Sequence, residues 1–326
     1  MKLARREFLH LAAGAAAMPA VLRVAKAQTY PTRPITVIVP YAAGGATDVL
    51  GRVLAERMRG SLGHAIIIEN VSGADGSIGA GRAARAKLDG YTIGLGSVST
   101  HVLNGALYSL QYDVLDVFAP ILLLGASPYV LYTRKTMPAN DLRELITWLK
   151  ANPNKASAGF GLGGLHLVTA FFRQQTRAQF TLVPYRAGVT LMQDLVAGQI
   201  DLAFNTSDQL PLMRAGSVKA YAVTSEMRLV LAPEIPAFAE IGLPALSFSA
   251  WVALFAPKGT PKDIIGTLNA AAEEALADPA VRSRLTDLGF EIFSREQQTP
   301  EALAAMQRAD AAKWWPIIKE LGIKAE

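Results

Sequence analysis

The chain has 326 residues, enough for about two domains with sizeable cores, and its 51% hydrophobic and 18% charged residues are those of a globular, not a disordered, protein. The net charge of +5 points first to nucleic acid, but Lys2, Arg5, Arg6, Arg23 and Lys26 against Glu7 place nearly all of it in the first 27 residues, leaving about +1 for the remainder, so no nucleic-acid partner is expected. The absence of cysteine excludes disulfides, thiolate metal sites, iron–sulfur clusters and a cysteine nucleophile together.

Residues 1–27 read as a cleaved export signal, with a basic start, an apolar run from Leu9 to Leu22, and Ala25-Lys26-Ala27 ahead of Gln28. Arg5-Arg6-Glu7-Phe8-Leu9 has the spacing of a twin-arginine address, although Ala4 and His10 depart from the usual pattern and a general secretory leader holding two arginines reads the same way. Either route delivers the chain outside the cytoplasm. The run is broken by Pro19 and falls short of the roughly 20 residues that a bilayer needs, so no membrane anchor is expected.

Beyond Pro31 and Pro34, "ITVIVP" is a β-branched run that predicts a buried strand. "YAAGGATD" follows, then a helix over "VLGRVLAERMRGSL" ended by Gly63, a strand "AIIIEN", the turn "VSGADGSIG" opening the helix "AGRAARAKL", and a strand "YTIGLGS". This alternation predicts a parallel α/β unit. "FAPILLLGASPYVLYTR" reads as extended, and Asp141 caps a helix through "LRELITWLKAN". A second α/β unit runs from the short strand "KASAGFG" through "LHLVTAFFRQQT", "FTLVPY", "GVTLMQDLVAG", "QIDLAF" and "DQLPLMRAG" to "VKAYAVT". "LSFSAWVALFAP" supplies one more strand, and helices are expected over 261–277, 279–288 and 300–321.

Catalytic patterns are missing. Beyond the leader the histidines are His64, His101 and His166, with no i, i+4 pair and no H-E-x-x-H, which argues against zinc. There is no G-x-S-x-G elbow, no G-K-[ST] after a glycine cluster and no carboxylate pair suited to acid–base work. Gly159-Phe160-Gly161-Leu162-Gly163-Gly164 is a literal G-x-G-x-x-G, but no acid lies between His166 and Asp194 to hold a ribose, and the preceding strand is short and polar. A dinucleotide site is therefore not expected, and neither is any cofactor. The rival to a binding protein is an exported enzyme acting on a carboxylate, against which the absent cysteine, histidine pair and triad all count.

What remains is a set of Gly- and hydroxyl-rich turns at 41–48, 72–79, 97–101, 157–164 and 205–208, each at a strand end and opening a helix. A helix N-terminus offers unpaired N–H groups and about half a positive charge. Glycine there lets a ligand approach the backbone, so two such turns facing each other make an anion cradle without Lys or Arg. The same residues also suit tight turns, with Thr47, Asp48 and Ser77 as helix caps. Several turns in one register favour a ligand site.

Pro31-x-Arg33-Pro34-Ile35, "VPYAAGGATDVLGR", "IIENVSGADGSIGAGRAARAKLDGYT", "VPYRAGVTLMQDLVAGQIDLAF", "RAGSVKAYAVTS", "EIPAFAEIGLP" and "FSAWVALFAPKGTP" resemble, in order, the motifs of the Bug/TctC-type substrate-binding proteins, the periplasmic receptors of tripartite tricarboxylate transporters. The resemblance implies a two-lobed α/β periplasmic-binding-protein-like fold (type II, Venus flytrap), with a cleft between two domains joined by two crossing segments. Residues 28–124 with 250–326 would form a discontinuous first lobe and 125–249 the second, hinged near Gly125 and Ser249. A ligand carboxylate would be held through backbone N–H groups and bridging waters by Tyr41, Ala42, Ala43, Gly44, Gly45, Thr47 and Asp48 and by Gly73, Ala74, Asp75, Gly76 and Ser77. Ser97 and Thr100 and, from the second lobe, Phe160, Gly161, His166, Asn205 and Asp208 complete the candidate site. His101 and His166 also suit packing and helix starts, and Tyr185 and Arg186 either face the cleft or, for Arg186, solvent.

Three departures bear on specificity. Asp75 stands beside the proposed anion cradle, which is unfavourable unless its carboxylate turns away, for example to cap the next helix. Asn205 replaces a common acid. Phe160 and Leu162 make the second-lobe loop more apolar, which suits a carboxylate with an apolar or aromatic body better than an amino acid, unless both simply pack inside the lobe. The expected partners are a small organic carboxylate and either the membrane subunits of a transporter or a sensor kinase, with the protein itself monomeric.

Overall fold

The computed structural model describes residues 30–185 and 188–324, so residues 1–27, expected to be an export signal, and Arg186 lie outside the described residues. The first unit begins with β1 (Ile35–Val39), α1 (Ala46–Leu62), β2 (Ile66–Asn70), α2 (Ser77–Ala84), β3 (Thr92–Ser97), a short helical stretch ending in α3 (Asn104–Leu107) and β4 (Phe118–Ala126). The chain then crosses into β5 (Tyr129–Arg134), α4 (Leu142–Ala151), β6 (Ser157–Phe160), α5 (Gly164–Thr176), β7 (Thr181–Pro184), α6 (Gly188–Ala197), β8 (Leu202–Thr206), α7 (Leu210–Arg214) and β9 (Val218–Val223). It returns through β10 (Trp251–Pro257), α8 (Lys262–Ala277), α9 (Pro279–Asp287), β11 (Glu291–Ile292) and α10 (Pro300–Leu321).

The strands form two sheets, ordered β11-β4-β10-β3-β1-β2 and β7-β6-β8-β5-β9. Apart from the edge strand β11, the two orders are the same: β6, β7 and β8 take the places of β1, β2 and β3, while β5 stands where β10 stands and β9 where β4 stands. The sheets are mixed and not wholly parallel as the alternation suggests, because β10 runs antiparallel to β3 and β4 and β5 antiparallel to β8 and β9. Each of these two strands enters its sheet directly from the opposite unit, so no crossover helix precedes it and nothing constrains it to run parallel.

The central strands β10 and β3 are buried along nearly their whole length, as a sheet covered on both faces requires, whereas the edge strand β2 leaves Ile67 52% exposed. One face of the first sheet packs under α1 and α8, with Leu50, Leu54, Leu95 and Leu268 among its core, and one face of the second under α6 with Leu191 and Leu195. The remaining core runs continuously through both units, from Ile38 and Phe255 to Leu131, Phe204 and Trp314. Full burial of a Leu or Phe side chain contributes about 1.5–3 kcal/mol, so this shared core is a large part of what holds the units together. Trp314 on α10 sits edge-on to Phe171 of α5 (5.8 Å between centroids) and packs on Phe248 beside the return crossing (5.2 Å).

The two crossings are hydrogen-bonded to each other. Ser127 N–H donates to the Ala250 carbonyl (3.1 Å), and buried Thr224 ties both: its N–H donates to Tyr129 O (2.8 Å), its hydroxyl accepts from Tyr129 N–H (2.9 Å), and its carbonyl accepts from Phe248 N–H (2.8 Å).

Candidate ligand site

The loops after β1, β2 and β6 leave the carboxyl ends of parallel strands, the position where ligands bind in open α/β sheets. All three lead into helices that begin at a glycine without a side-chain cap: Gly45 for α1, Gly76 for α2 and Gly163 for α5. Elsewhere Asp141, Asp278 and Thr299 cap α4, α9 and α10 through their side chains, while α8 starts behind Pro261 without such a cap. Thr47, Asp48 and Ser77 therefore cap neither α1 nor α2.

In the first loop, Ala42, Ala43, Gly44 and Gly45 are exposed, and the N–H groups of Ala42, Ala43 and Gly45 make no hydrogen bond within the described residues. Tyr41 and Thr47 are half-buried. Asp48 is 2% exposed and braces the loop from beneath. Its Oδ2 accepts from Gly44 N–H (2.8 Å) and Arg52 Nε (3.0 Å), and its Oδ1 from Arg52 Nη2 (3.0 Å) and Asn70 Nδ2 (2.9 Å). Burial pushes the Asp48 carboxyl up, but the Arg52 guanidinium, the Gly44 N–H and the Asn70 amide outweigh it and hold the pKa at about 2. Asn70 also donates to the Tyr41 carbonyl (3.1 Å), fixing the loop at both ends.

The second loop is anchored by Asn104, whose amide donates to the Asp75 carbonyl (3.0 Å) and to Ser77 Oγ (2.8 Å). A Cβ on Gly76 would meet Thr100 Cγ2 at 2.6 Å and Pro40 at 3.1 Å, so this glycine, at φ 82°, lets the first two loops pack together. Gly73 and Ala74 are exposed, Gly76 and Ser77 buried. Asp75 does not cap α2. The third turn is closed on itself: Tyr41 Oη shares a hydrogen bond with Ser97 Oγ (2.7 Å), and Thr100 Oγ1, fully buried, receives Ser97 N–H (2.9 Å) and pairs with His101 Nδ1 (2.8 Å). His101 lies between Phe255 and Phe118, and burial pushes its pKa down to about 3, so it is a neutral core residue.

From the second unit, the half-buried Phe160 stacks on the His166 ring at 4.2 Å, Gly161 is buried and Leu162 is 48% exposed. The glycines of the G-x-G-x-x-G stretch are accounted for by close packing: a Cβ would run into Ile200 at Gly159, into Leu165 at Gly161, and into the Tyr129 hydroxyl and Phe248 at Gly164. Gly163 abuts Asp75 and Ser99 of the first unit, so this loop meets the first-unit loops directly. Asn205 is buried, with its amide donating to Gly188 O (3.2 Å) and its Oδ1 accepting from Thr206 N–H (2.8 Å). Asp208 makes no hydrogen bond to the glycine loops within the described residues. It is exposed, takes the Thr206 hydroxyl and Gln209 amide, and its backbone sits against Gly289 of the first unit.

Asn70, Asn104 and Tyr129 are structural parts of this site outside the turns named from the sequence, whereas Ser99 and Gly163 lie inside the named turns 97–101 and 157–164 and owe their part to the contact between the units. Among the described residues, no group of three His, Asp or Glu is placed to hold a metal, and no helix is long and apolar enough to cross a membrane.

Two α/β lobes joined by two crossing segments, with glycine-capped helices converging on the cleft, define a periplasmic binding protein of the Venus-flytrap kind. Residues 50–323 match the family model described as tripartite tricarboxylate transporter family receptor, and the chain belongs to that Bug/TctC family of periplasmic receptors. It is similar to the protein BugT of Bordetella pertussis, with 34% identity over 310 residues covering 91% of this chain and 92% of that one. Among solved structures it resembles MatC of Rhodopseudomonas palustris with bound malate, at 34% identity and a TM-score of 0.79 over 89% of this chain and 100% of the other. An R. palustris protein solved with adipate is similar at 30% identity and a TM-score of 0.80, covering 90% and 99% of the two chains.

Proposed function

We propose that this chain is an exported receptor that captures a small organic carboxylate between its lobes and presents it to the membrane subunits of a tripartite tricarboxylate-type transporter. The observation that carries this reading is the trio of cleft helices starting at Gly45, Gly76 and Gly163 without a side-chain cap, next to free N–H groups at Ala42, Ala43 and Gly45. Such termini attract a carboxylate by dipole and by hydrogen bond. Malate and adipate in the two related structures support the same ligand class. Exposed Leu162 and half-buried Phe160 suit an aliphatic or aromatic body on the distal side of the ligand.

On this reading residues 1–27 are removed on export, residues 28–124 with 250–326 form the first lobe, and 125–249 form the second. The hinge lies at the crossings near Gly125 and Ser249. The ligand stabilises the closed state through its higher affinity for that state and leaves unchanged.

The test is a thermal-shift screen of residues 28–326 against mono- and dicarboxylates, aliphatic, aromatic and amino-substituted. At 100 times its Kd a ligand adds about 2.7 kcal/mol to stability, a readily measured rise in Tm. A rise with one carboxylate class and recovery of that compound intact supports the proposal. No rise with any carboxylate, from folded and ligand-free protein, rejects it.

A further inference from the structure

The loop after β2 holds a carboxylate that anion binding by backbone N–H groups does not call for. Gly73, Ala74, Asp75 and Gly76 follow one another at φ 127°, 46°, 47° and 82°, so two residues with a Cβ take a left-handed conformation in succession. This backbone path carries the Asp75 side chain into the lobe interface. Its Oδ2 has no surface open to solvent and no hydrogen-bond partner. Gly163 of the second lobe lies against it: any Cβ there would run into both Asp75 Oδ2 and Ser99 Oγ, and the backbone at φ 55°, ψ −123° suits only glycine.

Among the described residues, burial alone sets the state of Asp75. Tyr41 from the loop after β1, Tyr108 after α3 and Tyr129 on β5 are the titratable groups that interact with Asp75, and burial first, then the Asp75 charge, pushes each of their hydroxyls up, so all three stay neutral. Among the described residues no Lys, Arg or His contributes to the state of Asp75.

We propose that Asp75 and Gly163 form a proton-dependent latch, in which the lobes close fully only over a neutral Asp75 carboxyl, so that capture of a ligand takes up a proton. Asp75 is half-buried with its Oδ2 sealed against Gly163, and an ionised carboxylate held there without a partner for that oxygen is disfavoured relative to the neutral acid. In the closed arrangement burial raises the Asp75 pKa to about 7. With the lobes apart, water reaches the group and it returns to the ordinary range near 4. The raised pKa belongs to the closed state, so closure is favoured in acid. That advantage is complete below about pH 4, falls about tenfold per pH unit up to about 7, and is gone above it. The latch builds on the reading that a carboxylate binds in this cleft, and a bound anion would shift Asp75 further in the same direction.

The test needs no ligand. The chain has no cysteine, so Glu56→Cys on α1 and Lys150→Cys on α4, both exposed, accept one spin label on each lobe. Distances between labels are measured by pulsed dipolar spectroscopy at pH 5, 6.5 and 8 in the otherwise unaltered chain, in Asp75→Asn and in Gly163→Ala. The ratio of short-distance to long-distance population should fall by more than tenfold from pH 5 to pH 8. Asp75→Asn, a neutral group of the same shape, should hold the acid-form distribution at every pH, and Gly163→Ala should remain open at every pH. A distribution that does not move with pH in the unaltered chain, or one that moves equally in Asp75→Asn, overturns the latch. Should Asp75→Asn fail to fold, the pH series on the unaltered chain and Gly163→Ala decide the matter. Neither result depends on the ligand screen, so failure of the latch leaves the carboxylate reading standing and the reverse also holds.

Discussion

Asp48→Asn removes the charge beneath the first glycine loop while keeping the side-chain shape. The native carboxylate is 2% exposed and takes four donors, from Gly44, Asn70 and two nitrogens of Arg52. Its pKa of about 2, against an ordinary 3.8, corresponds to a contribution of about 2 kcal/mol at 1.36 kcal/mol per unit. An amide presents one acceptor oxygen and turns an NH2 group toward donors, so a loss of about 2–3 kcal/mol at pH 7 is expected. In a chain of this size that is a fall in Tm of about 3–5 °C. Urea unfolding of both proteins at pH 7, 5 and 3 gives the check. The folded-state pKa is depressed, so the stabilisation is present above the ordinary carboxylate range and is lost as pH falls from about 4 toward 2. The gap between the two proteins should therefore narrow by about 1 kcal/mol at pH 3. Equal stability at pH 7, or a gap that stays constant down to pH 3, would refute the assignment of Asp48 as a charged brace.

Gly76→Ala forces a Cβ against Thr100 and Pro40 at a left-handed position, and should cost about 2–3 kcal/mol by chemical denaturation while leaving secondary-structure content intact. Asn104→Ala removes the two hydrogen bonds that anchor the second loop. It should cost about 1–2 kcal/mol of stability and, by calorimetry, at least tenfold in affinity for the carboxylate identified in the screen. Arg134→Ala exposes the contrast: it breaks the ion pair with Asp201, which also holds Ser157 N–H, and should destabilise by about 1 kcal/mol with ligand affinity unchanged. A parallel loss of affinity in Arg134→Ala would show that overall loosening, not loop anchoring, explains the Asn104 result.

The alternation of β-branched runs, glycine turns and amphipathic helices was legible because each is a local property, and strands such as Ile35–Val39 and helices such as Ala46–Leu62 follow the sequence pattern closely. The antiparallel placement of Tyr129–Arg134 and Trp251–Pro257 was not, since it depends on a chain that leaves one sheet for the other and returns, and no local residue records that path. The two-residue strand Glu291–Ile292 is too short to carry a period. At the site, the glycine turns stood out, but their side-chain supports did not. Asp48 and Arg52 at i, i+4 spacing were a signal for an internal ion pair in place of a helix cap. The contact of Gly163 with Asp75 spans 88 positions between lobes, and only the folded arrangement reveals why that glycine has no room for a side chain.

The hydrogen-bonded crossings have a mechanical consequence. Two unpaired strands would act as separate tethers, letting one lobe slide, splay or twist against the other. Here the Ser127–Ala250 bond and the Thr224 clasp between Tyr129 and Phe248 bind them into a single ribbon. A paired ribbon resists shear in its own plane and flexes easily out of it, like a leaf spring. In the proposed closure such a ribbon would carry the Gly163 loop toward the loops at Gly44 and Gly76 along nearly one arc.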